Sequence, residues 1–133
     1  MVDGSPVEVK KASKTTVNQV RAVKYIPLVV YYEPSGTWYV VPAHHVVRLV
    51  APKARGQHNE IVFECSTLRV NQLGEFRVAK EADLLAATRF AIAAATKYPE
   101  LKQEMERALR EARKLARDTQ ARVQEILAKY KLG

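Results

Sequence analysis

Two apolar runs of strand type, IPLVVYY (26–32) and TWYVV (37–41), flank the turn residues Glu33-Pro34-Ser35-Gly36. β-branched and aromatic residues suit a pleated surface, and the Pro and Gly between them are turn chemistry, so residues 26–41 predict an antiparallel hairpin. Whatever else the chain does has to pack on that hairpin. Pro42 is pre-set for a helix start, which predicts a short helix over Ala43–Val50 that Pro52 closes.

Upstream, Val7–Lys10 (VEVK) alternates as a strand. Side chains in a strand alternate faces, so Glu8 and Lys10 point one way and Val7 and Val9 the other. Read by itself, E-x-K describes a half-buried strand with a salt-tolerant outer face. Glu100-Leu101-Lys102 has the same spelling and opens a helix after Pro99. Lys11–Lys14 is a polar loop, after which Ser13, Thr15 or Thr16 caps a basic helix of about ten residues to Tyr25. Val17, Val20 and Ala22–Val23 form its partial apolar face. Three valines lower the helix propensity, which keeps a strand open here. Lys53–Glu60 (KARGQHNE) reads as an exposed loop rich in donors, Ile61–Phe63 as a short strand, and Ser66–Arg77 as polar and irregular.

The last third is helical: Ala82–Tyr98 is alanine-rich, and Glu100 to about Tyr130 continues without Gly or Pro. Leu101, Met105, Ala108, Ala112, Leu115, Thr119, Val123, Ile126 and Tyr130 recur at spacings of mostly four and three, as in a coiled-coil seam. That stripe serves either as a lid on the chain's own core or as a homodimer seam.

Charge narrows the partner. The net formal charge is +8, with 11 Lys/Arg against 6 Asp/Glu in residues 1–80. The densest basic segment holds Lys10, Lys11, Lys14, Arg21 and Lys24 against Glu8 alone. A phosphate backbone is the common partner of such a face, and a solvated surface is the bland alternative. Cys65 is the only cysteine, which rules out an internal disulfide and fits a reducing cytoplasm. No apolar stretch has the length of a membrane span or signal core, so the chain reads as soluble, cytoplasmic and free of membrane. No G-x-S-x-G elbow, glycine-rich phosphate loop or zinc-ligand spacing is present. His44 and His45 are adjacent and are expected to diverge around their helix.

The succession of strand VEVK, a basic segment with Gln19 and Arg21, strand IPLVVYY and then GTWYVVPAHHV resembles the second half of a PD-(D/E)xK nuclease domain. This is the superfamily of restriction endonucleases and Holliday-junction resolvases. The resemblance covers about residues 5–77 and is strongest over Glu8–Lys10 and Thr37–Val47. It implies an α/β fold: a restriction endonuclease-like half-sheet with short helices, followed by a long C-terminal helical hairpin. The corresponding division is a nuclease-like core over 1–80 and helices over 81–133. It also implies Mg²⁺-dependent hydrolysis of DNA phosphodiesters, the ion acidifying a water and stabilising the developing oxyanion. Glu8 would be a metal ligand and Lys10 the cation beside the attacking water. Gln19 matches in type a polar residue that steadies water or phosphate in some members. Lys11, Lys14, Asn18, Arg21, Lys24, Lys53 and Arg55 would form one DNA-binding surface.

One element of the pattern has no counterpart. The family's metal-binding Asp lies on the strand before E-x-K, and only seven residues precede Glu8. Asp3 is the sole upstream acid, and five residues of extended chain span roughly 16 Å. Carboxylates sharing one Mg²⁺ must approach to about 4 Å, given metal–oxygen distances near 2.1 Å. The chain is therefore expected to lack the domain's first part, and its cleavage to be impaired.

Overall fold

The computed structural model describes all 133 residues. In chain order the elements are β1 (Glu8–Ala12), β2 (Thr16–Val20), β3 (Leu28–Tyr32), β4 (Thr37–Val41), α1 (Ala43–Val50), β5 (Ser66–Arg69), β6 (Arg77–Val78), α2 (Leu84–Ala94) and α3 (Leu101–Lys129). Short 3₁₀ turns fill several of the gaps. The chain is an α/β protein with a mixed sheet and a long C-terminal helix.

The hairpin forms as its residues dictate: β3 and β4 pair antiparallel, with Leu28 opposite Val41 and Tyr32 opposite Thr37. Gly36 closes the turn at φ 64°, a left-handed conformation that glycine adopts without penalty. β1 joins parallel to β3, with Glu8 opposite Leu28 and Ala12 opposite Tyr32, and β6 joins β4 antiparallel. The strand order is β1-β3-β4-β6, so β1 is an edge strand. β2 and β5 form a separate two-stranded ribbon.

The sheet carries a core on each face. On one, Ala12, Leu28, Val30 and Val41 meet Val17 and Val20 of β2, Val46 and Val50 of α1, and Leu68 of β5. Burying such a side chain fully contributes about 1.5–3 kcal/mol, so this larger cluster holds ribbon, helix and sheet together. On the other face Val29 and Val40 pack against Ala91 of α2, with Val7, Trp38 and Leu84 around them. α2 thus shares a core with the sheet across the boundary near residue 80.

Residues 15–25 depart from the helix expected there. Thr16–Val20 is a strand, and a 3₁₀ turn covers Ala22–Lys24. The reason lies in the register: Val17 pairs with Leu68 and Val20 with Ser66, so Asn18 and Gln19 together oppose Thr67. This is a β-bulge, with Gln19 at φ 54°. One extra residue puts Val17 and Val20 on the same buried side at a spacing of three, which imitates a helical face. The next strand is displaced as well. Ile61–Phe63 forms no strand, a turn covering residues 62–64 instead, and β5 begins at Ser66, inside the segment expected to be irregular. Ser66 is fully buried, its hydroxyl donating to the Val62 carbonyl at 2.7 Å.

At the C-terminus α2 packs on β4, whereas α3 starts against the 22–24 turn, so the two do not lie together as the expected hairpin. α3 buries only Met105 and Leu109. Arg113 still reaches Glu64 in an ion pair. Beyond it Leu115, Val123, Ile126 and Tyr130 are all exposed.

Candidate nucleic-acid interface

Glu8 and Lys10 lie on one face of β1, Lys10 Nζ 3.2 Å from Glu8 Oε1, each side chain about a fifth exposed (20% and 21%). The strand register turns them toward the Leu28 and Val30 face, the one that carries the larger core. Val9, on the opposite face, is 66% exposed, in an open recess that it lines with Leu84, Leu85 and Thr88 of α2. The polar pair therefore occupies the covered side of the strand and the valine the open side, the reverse of a strand with a polar outer face.

Lys10 lines a recess of about 220 Å³ with Lys11, Ala12, Ser13, Lys14, Thr16 and Asn18. Three lysines contribute to its walls, Lys10 and Lys11 from opposite faces of β1. Lys10 pairs with Glu8, and Lys11 with Glu33 at 2.7 Å, a contact that holds its pKa above the usual lysine value. Lys14 has no acidic partner.

The bulge sets what stands beside this recess. It turns Asn18 and Gln19 outward together, and the Gln19 backbone N–H donates to Gln57 Oε1 at 2.7 Å. That bond pins the 53–60 loop to β2. Gln57 N–H also donates to the Cys65 carbonyl at 3.0 Å. Gly56 lies so close to the chain that a Cβ there would run into the Cys65 carbonyl oxygen. Held this way, Lys53, Arg55 and Gln57 line a second recess of about 340 Å³ with Thr67. Thr67 Oγ1 lies 3.5 Å from Asn18 Oδ1, so the two recesses meet along the ribbon. Lys10, Lys11, Lys14, Asn18, Lys53 and Arg55 form one basic band.

Other expected members stand apart from it. Gln19 is on the bulge rather than on a helix, and its documented role is the backbone bond to Gln57. Arg21 is exposed and faces Glu60, whose pKa is lowered chiefly by backbone N–H donors and further by Arg21 and His58. Lys24 ends the turn that packs on α1 and α3, and neither recess includes it. Asp3 pairs with Arg89 of α2, Nε to Oδ2 2.7 Å, and that hydrogen bond lowers its pKa. It is thereby tied to the helix on the face opposite Glu8.

No group of three His, Cys, Asp or Glu is placed to hold a metal ion. Glu8 is a single carboxylate with one oxygen on Lys10, and one such ligand does not make a Mg²⁺ site. The histidines do not diverge as expected. The rings of His44 and His45 sit 4.2 Å apart, His44 against Tyr98 and His45 against Phe76. Burial is the main cause that lowers both pKa values, helped by Arg48 and, for His44, by His45 and Lys97. No helix is long and apolar enough to cross a membrane.

No family model, curated protein or solved structure matches the chain. Its chemistry has to be read from its own residues.

A third and larger recess, about 610 Å³, is formed by Thr15, Thr16, Tyr32, Tyr39, Arg69, Val70, Asn71 and Gly74. Of these the sequence offers the hairpin tyrosines as base-stacking residues, a role less common for them than core packing, and gives no sign of Arg69, Asn71 or Gly74. It shares Thr16 with the lysine recess. The strand register singles out two of those tyrosines, since Tyr32 and Tyr39 face the ribbon while Tyr31 and Trp38 pack together on the α2 side at 4.7 Å.

Proposed function

We propose that the chain binds DNA along the β2–β5 ribbon and is the E-x-K-bearing part of a restriction endonuclease-like domain. The observation that carries this reading is the position of Glu8 and Lys10. They sit on the covered face of an edge strand, and Lys10 opens directly into a basic recess. A solvated strand would place its charges outward. The parallel β1–β3 pair followed by the antiparallel return β4 supports the fold part of the reading.

Glu8 and Lys10 are the catalytic pair in this reading, and Gln19 holds the binding loop in place. Mg²⁺ is the proposed cofactor of a completed site, with Glu8 one of its ligands. β1 pairs on one side only, so a further strand has an open edge to join, next to Glu8. A carboxylate delivered there would complement Glu8. Without it the chain binds and does not cut. The test is a plasmid-nicking assay with Mg²⁺ run alongside DNA binding. Binding without nicking is the expected result. Nicking abolished by Lys10→Ala would show that the site is complete in this chain.

A second reading is a non-catalytic DNA-binding or assembly protein that dimerises through α3. The exposed apolar row Leu115, Val123, Ile126 and Tyr130 favours a seam over a lid for the outer half of the helix. The inner half, with Met105 and Leu109, is a lid on its own domain.

A further inference from the structure

The basic band accounts for the phosphates of a bound strand but leaves the largest recess without a role. That recess adjoins the band through Thr16, and the Val70 N–H to Thr15 carbonyl bond, 2.8 Å, ties its two walls together. Its lining is unlike the band's. Tyr32 and Tyr39 are diagonal neighbours on β3 and β4; Tyr32 is half-buried and is the more open ring, while Tyr39 lies at the floor, 9% exposed and packed in the larger core. Arg69 and Asn71 are exposed at the rim, and Arg69 is in no ion pair. No carboxylate lines it. A planar, uncharged group with hydrogen-bonding edges fits this combination. Aromatic rings take a base face whatever its sequence, and Arg and Asn forks match the acceptor and donor edges of purines.

Resting on the DNA-binding reading, we infer that the Tyr32–Tyr39–Arg69–Asn71 recess receives one unstacked nucleobase of a strand whose phosphates lie on Lys10 and Lys14. A base inside an intact duplex cannot present its face to such a recess without leaving the stack. The chain therefore prefers single-stranded, frayed or mismatched DNA over perfect duplex. Stacking of one base is worth about 10- to 100-fold in affinity.

The test compares fluorescence-anisotropy binding of three oligonucleotides of equal length: single strand, perfect duplex, and single strand with scattered abasic sites. The intact single strand is expected to bind about tenfold or more tighter than either of the others. Gly74→Leu is the blocking variant, because Gly74 lines the recess and a Cβ there meets nothing within 4 Å, so a bulky side chain can be added at its wall without a clash. It and Asn71→Ala should abolish the preference and leave duplex affinity as it was. A 2-aminopurine in the strand should report its environment changing on binding to the wild type and not to Gly74→Leu. Equal binding of single strand and duplex, or a preference that survives Gly74→Leu, overturns the base recess while the DNA-binding reading stands. Failure to bind any of the three overturns both.

Discussion

Asn18 Oδ1 and Thr67 Oγ1 meet at 3.5 Å across the β2–β5 ribbon, and this contact joins two lysine-lined recesses into one band. The band exists because of one extra residue in β2. Without the bulge, Asn18 and Gln19 would alternate faces, and Gln57 would have no outward N–H to accept.

Membership of the band is testable charge by charge. Lys14→Glu or Lys53→Glu should weaken DNA binding and lower the salt slope by about one per lost phosphate contact. Lys24→Glu, on the turn beside α1 and α3, should leave the slope unchanged. Titrations of the three variants against one duplex decide the membership.

Gly56 holds the second recess in shape. Gly56→Ala puts a Cβ against the Cys65 and Glu60 carbonyls, which cannot yield as a flexible side chain would. The 53–60 loop should move off β2, taking Lys53 and Arg55 with it. A fall in salt slope of about two is expected, given roughly 0.9 per phosphate. Far-ultraviolet circular dichroism should remain that of the wild type.

α3 should behave as two halves. Met105→Ala removes a buried side chain and should cost about 2–5 kcal/mol. Leu115→Glu lies on the exposed row and should change stability by no more than about 0.5 kcal/mol. If the outer half is a dimer seam, Leu115→Glu should convert a dimer to a folded monomer by light scattering. A wild type monomeric at high concentration would remove the seam.

The stacked histidines give stability a pH dependence. Burial, then the neighbouring His45 and the Lys97 and Arg48 charges, lower the folded pKa of His44, and burial and Arg48 lower that of His45 against the opposing pull of Glu75. The unfolded histidine value is about 6.5. As pH falls through that value and below it, the unfolded chain takes up more protons than the folded one, so stability decreases. Thermal melts between pH 8 and pH 5 should show that decline. His44→Gln should flatten it.

The hairpin, α1, the strand around Glu8 and the long last helix were legible in the sequence because each rests on local chemistry: β-branched runs, Pro42, Pro99, and a gap-free stripe. The 15–25 segment was not. Val17 and Val20 at a spacing of three satisfy a helix and a bulged strand equally, and only the pairing of β2 with Ser66–Arg69 decides between them. For the same reason the local pattern puts Gln19 on a helix and Lys24 among lysines from which the 22–24 turn separates it. Strand alternation correctly put Glu8 beside Lys10. Which face is covered depends on where the β2–β5 ribbon and α1 pack, and no property of residues 7–10 encodes that. Tyr32, Tyr39, Arg69 and Asn71 come together only through tertiary register.

The most direct test of DNA binding through this band is the affinity of the wild-type chain for a short duplex across a range of salt concentrations. If Lys10, Lys11, Lys14, Lys53 and Arg55 each meet a phosphate, as proposed, log affinity should fall against log salt with a slope near −4 to −5. The slope should drop by about two when Lys10 and Lys14 are both changed to alanine. An affinity that ignores salt, or no binding at low salt, would contradict the account.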